Sequence, residues 1–275
     1  MRPARADDRD PVLAFCQNTF SWGDYVAQVW DTWLADTRGQ LLVGQFDHRP
    51  VGLVHLAFLD GGAAWMEGMR VHPTFRRQGI ASALDSSART WARERGAVVA
   101  RLVTGDRNIP AQTLLATQGY TRIAHYREWE AKPAAKAIAA RLATPSDAPA
   151  LLELWEGSLG CVSNGLVFDR DWHWDTLTRP RLLGQIDAGQ VRTVDGGFAF
   201  LLASDGDDSS GLSLQALAGD AKSMFTLALA ARGEANYRGY QHIEAILIDH
   251  PEVNAALKRA RYRLEGGMQV YEQAL

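Results

Sequence analysis

Two cysteines in 275 residues, Cys16 and Cys161, are too few for a disulfide framework and fit a reducing compartment. Long apolar runs are missing too. None reaches the ~18 residues that a bilayer-spanning helix needs, so no membrane association is expected. The opening octet, Met1-Arg2-Pro3-Ala4-Arg5-Ala6-Asp7-Asp8, is too polar for a secretory signal, and a cytoplasmic protein is expected. No basic stripe stands out. With 29 Lys and Arg against 32 Asp and Glu, the net charge is −3 and the signs are interspersed, which argues against a nucleic-acid partner. A Walker-type phosphate loop and a dinucleotide fingerprint are both absent. The stretch Asp169-Arg170-Asp171-Trp172-His173-Trp174-Asp175 gathers carboxylates around a histidine but fits no closed ligand set, so no metal is expected.

What remains is a globular composition, 47% hydrophobic and 22% charged, in a chain long enough for about two ordinary domains. The first half reads as a short strand (2–5), two helical stretches (7–18 and 22–37) and three strands (41–46, 51–59, 63–71). A helix (79–95), a strand (97–104), a helix (108–118) and a last strand (120–129) follow. Asp47-His48-Arg49-Pro50 and Asp60-Gly61-Gly62 punctuate the strands, while Gly96 and Gly119 stop the helices. After Ala-Lys-Pro-Ala-Ala-Lys-Ala-Ile-Ala-Ala the chain starts again. Arg141 to Asp147 echoes Arg2 to Asp8, Trp174-Asp175-Thr176 echoes Trp30-Asp31-Thr32, and Ile243–Ile248, Asn254 and Tyr262 echo Val98–Val103, Asn108 and Tyr120. These echoes predict a duplicated α/β unit on mixed sheets: a first domain over 1–130, a linker over 131–140 and a second domain over 141–275.

Chemistry concentrates in Met69-Arg70-Val71-His72-Pro73-Thr74-Phe75-Arg76-Arg77-Gln78-Gly79-Ile80-Ala81-Ser82. A strand ends at Val71, Pro73 stops sheet pairing, and a basic turn opens into a helix. Unpaired N–H groups at the positive end of that helix suit a phosphate or pyrophosphate, with Arg76 and Arg77 adding charge. Arg76-x-x-Gly79-x-Ala81 after Val-His-Pro resembles the acetyl-CoA pyrophosphate loop of the GNAT superfamily of N-acetyltransferases. Asn108-x-x-Ala111-x-x-Leu114-Leu115-x-x-x-Gly119-Tyr120 resembles a second element of that family. The likeness covers residues 1–130, with the remainder a degraded second copy.

The resemblance implies two tandem GNAT-like domains and acetyl transfer from acetyl-CoA to an amine of a small molecule or peptide, by a monomer or homodimer. It implies cofactor contacts from Met69, Arg70 and Val71 to the pantetheine arm, from Arg76, Arg77, Gln78, Gly79, Ile80, Ala81 and Ser82 to the pyrophosphate, and from Asn108 near the arm. Glu67, on the strand entering the loop among apolar neighbours, is the candidate general base; His55 and His72 are alternatives. Trp22, Asp24 and Tyr25 form the candidate acceptor wall, expected exposed and suited to a cationic amine. Trp30, Trp33 and Cys16 read as core. Where many relatives carry a Tyr that protonates the leaving thiolate, this chain has Leu115, with Tyr120 and Tyr126 as stand-ins. That substitution also leaves room for a catalytically silent acyl-CoA-binding regulator.

Overall fold

The computed structural model describes residues 1–17, 19, 23–59, 61–135, 140–163, 165–169, 172–204 and 211–275. They form two compact units. The first comprises Met1–Val103, Ile109–Thr121 and Tyr271–Leu275; the second comprises Thr104–Asn108 and Arg122–Val270. The units therefore differ from the expected domains 1–130 and 141–275. Residues 104–108 and 122–130 count with the second unit, as do the described linker residues, and the last five residues count with the first.

The first unit draws on β1 (Arg2–Pro3), α1 (Arg9–Cys16), α2 (Val26–Leu34), β2 (Gln40–Phe46), β3 (Arg49–Phe58) and β4 (Ala63–Val71). It continues with α3 (Ile80–Glu94), β5 (Val99–Gly105) and α4 (Ile109–Thr117). Strands β1 to β4 pair antiparallel in chain order, and β4 then pairs parallel with β5. Helices cover both faces. Leu42, Val54, Leu56, Ala64 and Met66 pack against Leu84, Ala88 and Ala92 of α3, while Leu41, Val43 and Leu53 pack against Val12, Cys16, Val26, Trp30 and Trp33 of α1 and α2. Such alternation along β2 and β3 is what a two-sided core requires. The β4–β5 ladder runs from Ala63↔Val99 to Trp65↔Arg101, while β4 itself continues to Val71.

The second unit contains β6 (Thr121–Ala131), β7 (Arg141–Leu142), α5 (Ala148–Glu156), α6 (Leu159–Ser163), β8 (Leu166–Phe168), β9 (Trp174–Thr176) and α7 (Arg179–Asp187). Then come β10 (Val191–Val194), β11 (Gly197–Ser204), β12 (Gly211–Gly219), α8 (Ala221–Tyr237), β13 (His242–Ile248), α9 (Pro251–Arg259) and β14 (Arg263–Ala274). Its main sheet runs β14-β6-β13-β12-β11-β10-β7, again mixed, with β12 and β13 parallel. The duplication is visible in side chains. Arg2 grips Asp8 with two 2.7 Å bonds while Asp8 accepts from Arg5 N; Arg141 grips Asp147 with two 2.8 Å bonds while Asp147 accepts from Thr144 N.

Two of the expected echoes fail. Trp30 lies on a helix and Trp174 on a strand, so that likeness is a coincidence of letters. Pro251 opens α9 142 residues after Ile109 opens α4, and Tyr262 follows Tyr120 by the same 142, which sets His250 opposite Asn108 and leaves Asn254 inside a helix. The linker residues that are described are held within the second unit: Ala134 N–H donates to Arg232 O (3.1 Å), and Arg232 Nε to Lys132 O (2.8 Å). Lys136–Ala139 lie outside the described residues. Among the described residues, no helix is long and apolar enough to cross a membrane.

Candidate active site

Glu67 stands on β4 directly opposite His55 on β3. The β3–β4 register slips between Leu53 and His55, and immediately past Glu67 the backbone turns through Gly68 at φ +65°. Only glycine fits there, because a Cβ would run into the ring of Trp33. The bulge thus brings a helix tryptophan down onto the strand. Trp33 stacks on the His55 ring with centroids 4.7 Å apart and planes within 7°. His55 is 2% exposed; its Nδ1 lies 2.9 Å from Glu67 Oε1, and its Nε2 lies 3.3 Å from Asp36 Oδ2 without hydrogen-bond alignment. Asp36 is fixed in turn, its Oδ1 accepting from Arg38 N–H at 2.8 Å. The Glu67 side chain keeps 17% exposure.

Beyond Val71 the chain makes one short turn of 3-10 helix, Pro73–Phe75, capped by His72, whose Nδ1 accepts from Thr74 N–H. His72 also lies edge-on between Phe15 and Phe75, so it has a structural post. Arg77 (φ +62°) and Gly79 (φ +81°) are both left-handed, which turns the backbone sharply into α3. Gly79 is the N-cap residue and supplies no side chain, and a Cβ added there would meet nothing within 4 Å. The first helical bond runs from Ala83 N–H to Gly79 O, so the amides of Ile80, Ala81 and Ser82 are the helix's free donors. Arg76, Arg77 and Gln78 are exposed around them; Arg76 Nε donates to Val71 O and Gln78 Nε2 to Thr74 O.

The corresponding place in the second unit differs. A single residue, Asp220, joins β12 to α8, and its carboxylate accepts from Ser223 N–H at 2.7 Å. The helix end is occupied by the chain's own anion.

Asp24 and Tyr25 do converge, but on Arg70. Arg70 Nε and Nη2 donate to Asp24 at 2.7 and 3.2 Å, Nη1 donates to Met69 O at 3.1 Å, and the guanidinium sits 5.2 Å over the Tyr25 ring. The Asp24 side chain is 3% exposed, and Tyr25 is half-buried. Burial pushes the Asp24 carboxyl up, but hydrogen bonds from Arg70, Thr19 and Val26 outweigh it and hold it below the usual range. The exposed acidic face expected for a cationic amine is therefore not found: its charge is neutralised internally. The Arg70 side chain is spent on this pair. Trp22 lies outside the described residues. Asn108 directly precedes α4 and counts with the second unit, so the first unit by itself does not bring it to the loop.

Neither stand-in for the missing acid is free. Tyr120 OH donates to Asp85 Oδ1 (2.9 Å), which Arg89 also holds, and burial pushes the phenol far up. Tyr126 OH donates to Leu166 O (3.0 Å). Leu115 is core. Cys16, 1% exposed, has its thiol pushed up to about 12 by burial. Among the described residues no three His, Cys, Asp or Glu side chains group to hold a metal ion; Asp169 instead lies 3.6 Å from Arg181.

Sequence reasoning missed the link from His55 to Glu67, although a signal existed. Both stand six residues from Gly61, the middle of the turn between their strands, and a hairpin pairs residues equidistant from its turn. Asp36 and the Arg70–Asp24 pair had no such signal, because they depend on how α2 docks.

Residues 12–120 match the model of the Acetyltransferase (GNAT) family. A curated relative, histidine N-acetyltransferase of Oreochromis niloticus, is 28% identical over 82 residues, which span 30% of this chain and 24% of that protein. Two solved structures share the fold of nearly the whole chain. A GCN5-related N-acetyltransferase from Sphaerobacter thermophilus (15% identity, TM-score 0.68) covers 99% of this chain and 94% of its own. A tandem GNAT protein from the clavulanic acid biosynthesis pathway (16% identity, TM-score 0.61) covers 99% and 97%.

Proposed function

We propose that the chain moves an acetyl group from acetyl-CoA to an amine of a small molecule or peptide, a reading supported by the match of residues 12–120 to the Acetyltransferase (GNAT) family model and by the fold shared with a tandem GNAT protein. The observation that carries this reading is the left-handed turn at Arg77 and Gly79. It opens α3 with no side-chain cap, at the end of the strand that bears Glu67. Space for an anion, free amides and flanking arginines fit a pyrophosphate there. The backbone of Met69–Val71, past the end of the β4–β5 ladder, suits an extended pantetheine arm held as a strand would be. Acetyl-CoA supplies the activated thioester, and the chain supplies orientation and proton handling.

A lysine-like amine with pKa near 10.4 must shed a proton at a cost of about 4–5 kcal/mol at pH 7. Glu67, partly exposed and fixed by His55, takes that proton. The amide of Met69 donates to the developing oxyanion. No side chain is assigned to protonate the thiolate; a thiol resembling Cys, with pKa near ~8.5, leaves without help. Tyr25, over the Asp24–Arg70 pair, walls the acceptor. The histidine N-acetyltransferase relative makes free histidine and histidine-containing peptides natural acceptors to try. Because Tyr120 and Tyr126 are both committed, the second reading is a silent acyl-CoA sensor.

Free-thiol release on mixing acetyl-CoA with a panel of primary amines separates the two. Amine-dependent release supports transfer. A CoA-induced rise in melting temperature without release supports the sensor. Absence of both sinks the acyl-CoA reading, since a ligand at a hundred times its Kd adds ~2.7 kcal/mol.

A further inference from the structure

We propose that a cleft beside β1 in the first unit binds a small organic anion through its carboxylate or phosphate group. This goes beyond the acyl-CoA reading and does not depend on it.

The cleft holds about 530 Å³, room for a metabolite-sized ligand, between β1, the single turn Ala6–Asp8, the β2–β3 turn and His72. Pro11 of α1 lines it, and α1 packs on the face of the sheet opposite α3. One charge pair in the cleft is closed: Arg2 spends its guanidinium on Asp8, Gln45 and Pro3 O. The other cations are open. Among the described residues, the side chains of Arg5, Arg49 and His48 make no hydrogen bond or ion pair, and Arg5 acts on Asp8 only at a distance. His72 accepts at Nδ1 from Thr74 N–H, so its proton sits on Nε2 and that nitrogen is a donor. Asp7 is the one carboxylate left to oppose two arginines, and an oxyanion shared between them relieves their repulsion.

The second unit shows what the fold alone needs. It keeps the closed pair as Arg141–Asp147, but Arg5 and Asp7 become Thr144 and Ser146, whose hydroxyls meet at 2.8 Å while Thr144 also donates to Asp147. The β2–β3 turn sets Asp47-His48 between the paired Phe46 and Arg49; the β10–β11 turn sets Asp195-Gly196 between the paired Val194 and Gly197. His48 thus holds a left-handed φ of +62° where the second unit uses glycine at +69°, a conformation that a side chain enters at a cost. In place of His72 the second unit has only Asp220 between β12 and α8. Both open arginines and both histidines are therefore dispensable to folding, and they gather in one cleft of one copy.

The test titrates glycerol 3-phosphate and succinate separately into the full chain at constant ionic strength. It follows the ring ¹H–¹³C resonance of His48, which His48→Gly identifies by its loss. At least one probe is expected to move that resonance saturably at millimolar concentration or below. In R5Q/R49Q affinity should fall roughly ten- to a hundredfold, the worth of a charge-assisted bond, with the probe-free circular dichroism spectrum unchanged. R5T, which installs the second unit's own residue, should lose affinity in the same direction and carries the test if the double variant does not fold. Saturating CoA should leave the probe's affinity within about twofold. No saturable shift with either probe, or wild-type affinity in the arginine variants, would overturn the proposal. So would displacement of the probe by CoA, because the cleft would then serve CoA. The amine panel tests the acyl-CoA reading separately, and its outcome leaves these titrations unaffected.

Discussion

Glu67 is the one carboxylate on β4, directly after the buried run Ala63–Met66, and it meets the imidazole of His55 across the strands. If it takes the amine's proton, Glu67→Gln should lower kcat by roughly ten- to a thousandfold near neutral pH. Acetyl-CoA binding should hardly change. The deficit should narrow as pH rises from 6 to 9, because free amine accumulates without assistance. A pH–rate profile superimposable on the wild type would move the role to solvent. His72, the other imidazole near the loop, is occupied as a cap between two phenylalanines.

At the scale of elements, the start of α3 and the start of α8 are the same element with opposite chemistry. Gly79 leaves the helix end open, whereas Asp220 fills it with a carboxylate. If the loop holds the pyrophosphate as proposed, Gly79→Glu would set a negative side chain against it, at a φ that side chains rarely adopt. A loss of CoA affinity of at least about a hundredfold is expected by titration calorimetry, being several kilocalories of charge repulsion and lost contact. Undiminished affinity, with an unchanged circular dichroism spectrum, would remove the loop from the binding site.

A second pair of related elements meets inside the second unit. Asp106 N–H donates to Gly267 O (3.0 Å) and Asp249 N–H to His125 O (2.8 Å); Gln269 donates to Asp106 and Arg127 to Asp249. Gly267 and Gln269 follow His125 and Arg127 by 142 residues each, so this is a local two-fold. His125 fills its middle, Nε2 3.0 Å from Asp106 and Nδ1 2.9 Å from Asp249, and Gly267 gives it room. For both carboxyls burial pushes the pKa up, but hydrogen bonds and nearby positive charge outweigh it and hold them below the usual range. Folded values below unfolded ones mean that the stabilisation is complete above the unfolded-state pKa, near 3.9, and is lost as pH falls through the lower folded values. Wild-type melting temperature should therefore drop more steeply below about pH 4 than that of D106N/D249N. Parallel curves would deny the cluster that linkage.

For the whole molecule, the compact units trade segments. The first unit includes Tyr271, a member of its α3-side core, as well as the 2.7 Å Arg101–Glu272 pair and the Leu275 N–H to Val98 O bond. Removing residues 271–275 should lower the melting temperature and weaken CoA binding, although the chain's other end carries the loop. An unchanged melting curve would show the first unit self-sufficient. Since only one of the two related helix ends is open, calorimetry should give about one CoA per chain, and a stoichiometry of two would contradict the assignment of the second end.

How much of this could be read from letters follows from range. Strand and helix order, the Gly79 turn, the Leu115 substitution and the duplication were legible, because period, turn chemistry and motif spacing act over a few residues. The exposure of Asp24 was misjudged, since Arg70 reaches it from 46 residues away, and Trp30-Asp31-Thr32 was matched to a strand because short words carry no fold. The sequence by itself determined which segments fold alike and where a glycine turn opens α3 without a side-chain cap. Tertiary structure alone decided which carboxylates are already neutralised and which distant side chains close on His55, Trp33 stacking on its ring and Asp36 lying beside it. The reason is physical: a charge's availability depends on what packs against it from distant segments, and no local pattern records that.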